Sequence, residues 1–114
     1  MIYAKGKLKE FDCQCKSDLC FFTIMQESTI DSLSEVRAEF KENIFVTSAY
    51  RCQSHNKNVG GVKMSNHCLG DAVDLVPANG QLHQLASIAE KHFKYVKQYK
   101  KFIHCDGRMN KESL

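Results

Sequence analysis

The stretch on which the rest of the chain turns is Ser48-Ala-Tyr-Arg-Cys-Gln-Ser-His-Asn-Lys-Asn-Val-Gly-Gly-Val-Lys-Met-Ser-Asn-His-Cys-Leu-Gly-Asp-Ala-Val-Asp-Leu75. Its core is Ser65-x-His67-x-x-Gly70-x-Ala72-x-Asp74. Just before it, Ile44 to Tyr50 is β-branched and aromatic and reads as a strand that delivers Arg51 to its C-terminal end. Cys52 to Ser65 has no periodicity and reads as a long loop with a turn at Gly60-Gly61. A loop of that length in a small domain is usually functional. A second strand follows at Ala72-Val73-Asp74-Leu75-Val76, stopped by Pro77 and Gly80.

Working outward, Thr29 to Asn43 is helical by period, with Ile30, Leu33, Val36 and Phe40 on one face and charges on the other. Leu82 to about Phe93 repeats the pattern with Leu82, Leu85, Ile88, Ala89 and Phe93. Tyr95-Val96 and Phe102-Ile103-His104-Cys105 read as a closing hairpin, with a polar tail from Met109. Residues 1–12 are expected to lie across the surface, anchored by Leu8, Phe11 and Ile2. Residues 13–22 form a Cys-rich loop.

Alternation along a strand sends residues two apart to the same face. Asp74 therefore shares a face with the small Ala72, and His104 shares one with Asp106, while Ile103 and Cys105 face the opposite layer. Gly70 permits a turn that returns His67 beside Asp74. A carboxylate in an apolar strand needs a cation or hydrogen-bond donors. Two imidazoles and one carboxylate suit zinc with an open fourth position, so His67, Asp74 and His104 are the candidate metal ligands. Arg51 at the neighbouring strand end can hold a carboxylate or a developing oxyanion. Asp106, by face and spacing, is the candidate proton acceptor. His55, His83 and His92 read as ordinary surface or core histidines.

The 114 residues make one domain, 1–114 with a core of about 8–108. A chain this short buries only roughly two-thirds of its unfolded surface, so a bound metal would help stability. With 43% hydrophobic and 25% charged residues the composition is globular, and a net charge of +3 is too weak to argue for nucleic acid. No apolar run approaches a membrane span. Met1 to Glu10 lacks the apolar core of a secretory signal, so synthesis in a cytosol, with release by another agent, is expected. Six cysteines is a high count. Without a signal they read as thiols or metal ligands rather than disulfides. Cys13, Cys15 and Cys20, with Cys52 brought in by the fold, form a candidate thiolate site, although they lack paired Cys-x-x-Cys spacing.

Tyr50-Arg51, Ser54-His55-Asn56, Val59-Gly60-Gly61 and Ser65-x-His67-x-x-Gly70-x-Ala72-x-Asp74 together resemble the signature of zinc D-alanyl-D-alanine carboxypeptidases. That group includes phage endolysins that cut peptidoglycan stems, vancomycin-resistance dipeptidases and, by fold, the signalling domain of hedgehog. Phe102-Ile103-His104-x-Asp106 resembles the closing strand of the group, and Glu10-Phe11-x-Cys13-x-Cys15 the lead-in of its small members. The resemblance implies an α+β fold, with helices packed on one side of a small antiparallel sheet. It further implies one catalytic zinc on His67, Asp74 and His104, a substrate-contacting Arg51, and a structural or substrate-binding Ser65. The implied activity is that of a monomeric peptidase acting on peptidoglycan peptides, with a zinc-stabilised binding module as the alternative. One departure stands out: many relatives carry a Glu or Asp three residues before the last His, where this chain has Lys101.

Overall fold

The computed structural model describes residues 1–63 and 65–108; the tail expected from Met109 lies outside them. Among the described residues, two antiparallel sheets and three α-helices make up the fold. β1 (Ile2–Ala4) pairs with β2 (Phe22–Ile24) in a two-stranded sheet. A one-turn 3-10 helix (Lys9–Phe11) lies between them. The main sheet has the order β3-β4-β6-β5, from β3 (Ile44–Ser48), β4 (Ala72–Pro77), β5 (Tyr95–Gln98) and β6 (Ile103–Asp106). Every neighbouring pair in it is antiparallel.

α1 (Glu27–Phe40) and α3 (Leu82–Ala89) follow the apolar periods read from the sequence. Leu33, Val36 and Phe40 of α1 and Leu85, Ala86 and Ala89 of α3 are buried against Val73, Leu75, Ile103 and Cys105 of the sheet in one core cluster. Burying each of the Leu, Val, Ile and Phe side chains among them contributes about 1.5–3 kcal/mol. α1 ends where Lys41 turns left-handed at φ 64°. His92, beyond α3, sets its two ring nitrogens 2.9 Å from Glu35 and 3.1 Å from Glu39 of α1. That ion pair staples the two helices at their solvent edge.

The chain departs from the sequence reading in three places. Residues 1–12 are not merely laid across the surface, because β1 pairs with β2; Ile2 is exposed, while Phe11 is the buried anchor. The expected loop after Arg51 contains α2 (Gln53–Asn58). α2 has no apolar face to give a period. It is held by its cap, where Cys52 Sγ accepts from the His55 amide, and by buried Asn56, which donates to the Val62 carbonyl at 2.8 Å. α3 stops at Ala89, four residues short of the expected end, and Phe93 packs into the core from the turns that follow.

Strand alternation decides what each face does. On β4, Val73 and Leu75 face the helices, and on β6, Ile103 and Cys105 do the same. The intervening residues Ala72, Asp74, His104 and Asp106 point to the other face. Register sets them side by side, since Asp74 is opposite His104 and Ala72 is opposite Asp106. One face of the sheet is core, and the other carries the candidate chemistry.

Candidate active site

His67 comes from a 3-10 turn, Asn66–Leu69, rather than from a strand. Ser65 starts the turn, its Oγ accepting from the His67 amide at 3.2 Å. Gly70 ends it at φ 71°. A Cβ on Gly70 would stand 2.2 Å from the Ile24 carbonyl oxygen, so no other residue fits there without moving β2. The turn drops the His67 ring onto the open face of β4, where it is 3% exposed.

His67, Asp74 and His104 offer ligand atoms that all lie within 4.8 Å of one another. Asp74 Oδ1 is 3.3 Å from His67 Nε2 and 3.0 Å from His104 Nδ1. The far side of each ring is already committed. His67 Nδ1 lies 2.6 Å from the Ala49 carbonyl, which can only accept, so this nitrogen carries the hydrogen. His104 Nε2 lies 2.7 Å from Asp106 Oδ2. Arg108 donates to that carboxylate through its backbone N, Nε and Nη2 at 2.7–3.1 Å. Asp106 is therefore ionised and accepts from His104.

The consequence is that both rings turn a lone pair toward an anionic oxygen. Three acceptors facing one another are held only by a proton or by a cation, and two imidazole nitrogens with a carboxylate oxygen suit zinc. Without a cation, a proton on His104 does the work. Burial opposes charge on that ring, but the hydrogen bonds to Asp106 and Asp74 outweigh it and push its pKa up to about 9. Burial likewise opposes ionisation of Asp74, yet the hydrogen bond from His104 and the adjoining His67 ring hold its pKa at about 2. The residues present fit a metal ion of zinc's type.

The site opens into a cleft of about 420 Å³ lined by His67, Asp74 and His104, with Arg51, Ser65, Tyr95 and Arg108 among its walls. Arg51 donates to Ser48 Oγ at 3.1 Å, Asn56 Oδ1 at 3.3 Å and Asp74 Oδ2 at 3.5 Å. Its guanidinium is thereby aimed along the floor beside Asp74. Gly61 closes the rim against Asn56, whose Oδ1 would lie 2.0 Å from any Cβ there.

Asp106 requires a correction. The sequence placed it on the same face as His104, which is where it lies, but as a proton acceptor for water it is badly sited. It is 0% exposed, sits behind the His104 ring away from Asp74, does not line the cleft, and is saturated by Arg108 and His104. Its geometry is that of a carboxylate that orients a metal-binding imidazole. Arg108, which clamps it, and Tyr95, whose ring stacks 3.7 Å under the Arg108 guanidinium, were missed in the sequence. The signal available was spacing: His104-x-Asp106-x-Arg108 places a cation two residues after the carboxylate. Lys101, three before His104, is exposed and is not among the cleft residues. Among the described residues, Asp74 is the only carboxylate that lines the cleft.

Four cysteines make a second convergence. Cys13, Cys15, Cys20 and Cys52 bring their sulfurs within 4.8 Å of one another. Among the described residues no helix is long and apolar enough to cross a membrane.

No curated protein matches the chain closely enough to count as a relative. The profile of the family described as Peptidase M15 matches residues 5–106, from just after β1 through the last residue of β6. That span holds the 3-10 turn bearing His67, the strand bearing Asp74 and the strand bearing His104. With the ligand set and the whole four-stranded sheet lying inside the matched span, the chain belongs to the Peptidase M15 family.

Proposed function

We propose that the protein is a zinc-dependent peptidase that hydrolyses peptide bonds in peptidoglycan stems or cross-links. The observation that carries this reading is the convergence of three acceptor atoms from His67, Asp74 and His104 at the floor of an open cleft. A zinc ion held there would polarise a carbonyl and lower the pKa of a bound water toward about 7.

The chain's own groups do the rest. Asp106 and the Ala49 carbonyl hold the far nitrogens of His104 and His67, so that His104 Nδ1 and His67 Nε2 are the atoms turned toward an ion. Arg51 sits beside Asp74 with a guanidinium suited to a substrate carboxylate or to the oxygen of the scissile carbonyl. Ser65 holds the His67 turn, and this structural role accounts for its side chain. Tyr95, Tyr99 and Phe102 give the opposite wall apolar surface for a peptide, and Lys97 and Arg108 add positive charge for an acidic stem.

A second reading has a specific observation behind it. The cleft offers no free carboxylate besides Asp74 among the described residues, and Lys101 replaces the acidic residue of many relatives. On that ground the same site would bind a peptidoglycan peptide through its metal without cutting it.

One experiment separates the two. Zinc-loaded protein is incubated with purified peptidoglycan, and with a stem pentapeptide ending in D-Ala-D-Ala, while released D-Ala and new amino groups are counted. Chelator-sensitive release that is lost in His67→Ala supports the peptidase and identifies the bond. Retained zinc and peptide binding with no product over long incubation would move the function to binding. Absence of zinc at His67 would overturn both.

A further inference from the structure

One residue beyond Arg51, the four-cysteine cluster has no part in the chemistry of the cleft. Cys13 Sγ stands 3.7 Å from Cys52 Sγ, and Cys52 Sγ stands 3.9 Å from Cys15 Sγ. Bonded sulfurs are about 2 Å apart, so these are not disulfides. Four thiolates bound to zinc at about 2.3 Å form a tetrahedron with edges of about 3.8 Å. The two spacings match those edges, and Cys20 completes the set within the same 4.8 Å limit.

We propose that Cys13, Cys15, Cys20 and Cys52 hold a second, structural zinc ion that ties the N-terminal segment to the loop carrying Arg51. Soft thiolates select zinc over the hard cations. Four of them leave no open position for water or substrate, which makes the site structural. Binding forms four Zn–S bonds, releases the thiol protons to solvent and involves no redox change.

The surroundings suit a cluster of net negative charge. The Cys52 amide donates to Cys13 Sγ at 3.4 Å, and the His55 amide donates to Cys52 Sγ at 3.4 Å. Lys5 Nζ lies 3.9 Å from Cys15 Sγ and 3.3 Å from the Cys15 carbonyl. Residues 13–20 contain no helix or strand, so the lateral hold on them comes from few bonds, such as Gln14 Nε2 to the Thr47 carbonyl at 2.6 Å. Four sulfurs converging from such chain are accounted for by an ion at their centre. Cys52 also caps α2 and follows Arg51 directly, so the ion would brace the cleft wall from behind.

The test uses the full chain, made with zinc and kept reduced, with zinc counted by elemental analysis and native mass spectrometry. Two ions per chain are expected. His67→Ala/His104→Ala should retain one ion, and after cobalt exchange should show strong sulfur-to-metal charge-transfer absorption in the near ultraviolet. Cys13→Ser/Cys52→Ser should lose one ion and that absorption while keeping the other ion. In the double-histidine variant, zinc X-ray absorption should give a shell of sulfur at about 2.3 Å.

A folded double-histidine variant with no metal and no charge-transfer band overturns the proposal. So does a reduced wild-type chain whose mass shows the hydrogens lost to disulfides, or one that holds iron in place of zinc. If the cysteine variant fails to fold, the double-histidine variant still decides, because it leaves the cluster intact. If both fail, X-ray absorption on the wild type decides: sulfur ligands uphold the proposal, and a shell of nitrogen and oxygen alone sinks it. A thiolate-bound ion in wild-type protein with no ion at His67 would uphold this site and overturn the peptidase reading.

Discussion

The two polar clusters of this small protein are built in opposite ways. The His67–Asp74–His104 site rests on strand register: Asp74 is opposite His104 in β4 and β6, and the next residues of both strands lock into the core. Its ring orientations are set by Ala49 and Asp106 without any ion. The cysteine cluster rests on irregular chain from residue 13 to residue 20 and on one residue after β3. The first site is preorganised and would be filled by its ion; the second would be organised by its ion. Losing the metal should therefore cost the first site chemistry and the second site structure.

The largest expected effect breaks the first site alone. His67→Ala should remove the ion of the cleft and take peptide-bond hydrolysis below detection, while thermal unfolding moves little. Zinc count and calorimetry on one sample check both halves.

Next in size is the converse. Cys13→Ser or Cys52→Ser should destabilise the protein by about 3 kcal/mol or more, because structural zinc binding is folding free energy. In a domain of this size that lowers Tm by about 10–20 °C. Amide exchange should quicken first at Cys13 to Cys20 and only weakly in β4 and β6. A uniform rise across the sheet would erase the contrast.

Gly70→Ala tests the seam between the regions, because Gly70 is where the His67 turn touches the end of β2. A left-handed φ together with a Cβ 2.2 Å from the Ile24 oxygen should cost about 2–4 kcal/mol. Chemical denaturation measures it, and zinc affinity at the cleft should fall along with stability.

A smaller effect sharpens the role of Asp106. Asp106→Asn should weaken zinc binding about 10–100-fold, as loss of an orienting carboxylate does. At saturating zinc, kcat should change far less than that. A collapse of kcat with unchanged zinc affinity would restore Asp106 as the proton acceptor.

The smallest concerns the staple between α1 and α3. Glu39 raises the pKa of His92 above its usual value of about 6.5, against a small opposing effect of burial and with help from Glu35. A raised folded-state pKa means that the stabilisation is complete below about pH 6.5 and is lost as pH rises through the folded value. His92→Gln should therefore lower Tm at pH 5 and leave it unchanged at pH 9. A constant difference across that range would assign the effect to packing instead.

What the sequence disclosed follows the same division. β-branched and aromatic runs located β3, β4 and β6, and a 3.6 period located α1, to within a few residues, because these elements pack into the core and burial selects those side chains. Asp74 stood out because a carboxylate inside an apolar strand requires partners. α2 was illegible, since Gln53 to Asn58 is polar throughout and is held by a sulfur cap and one buried amide. β1 and β2 are three residues each, too short to carry a period. Asp106 was put on the right face, but alternation gives direction only; the clamp of Arg108 and the aim of the His104 ring are what favour an orienting duty over the expected one of proton acceptor.

The alternation along β6 has one further consequence. A slip of one residue against β4 would turn Ile103 and Cys105 into the cleft and drive His104 and Asp106 into the core. An ion bound at the cleft would thus act as a proofreader of folding, since only a chain in correct register could capture it there. Variants of the helices and the core could be sorted for correct assembly by metal retention at the cleft alone, with no assay of turnover.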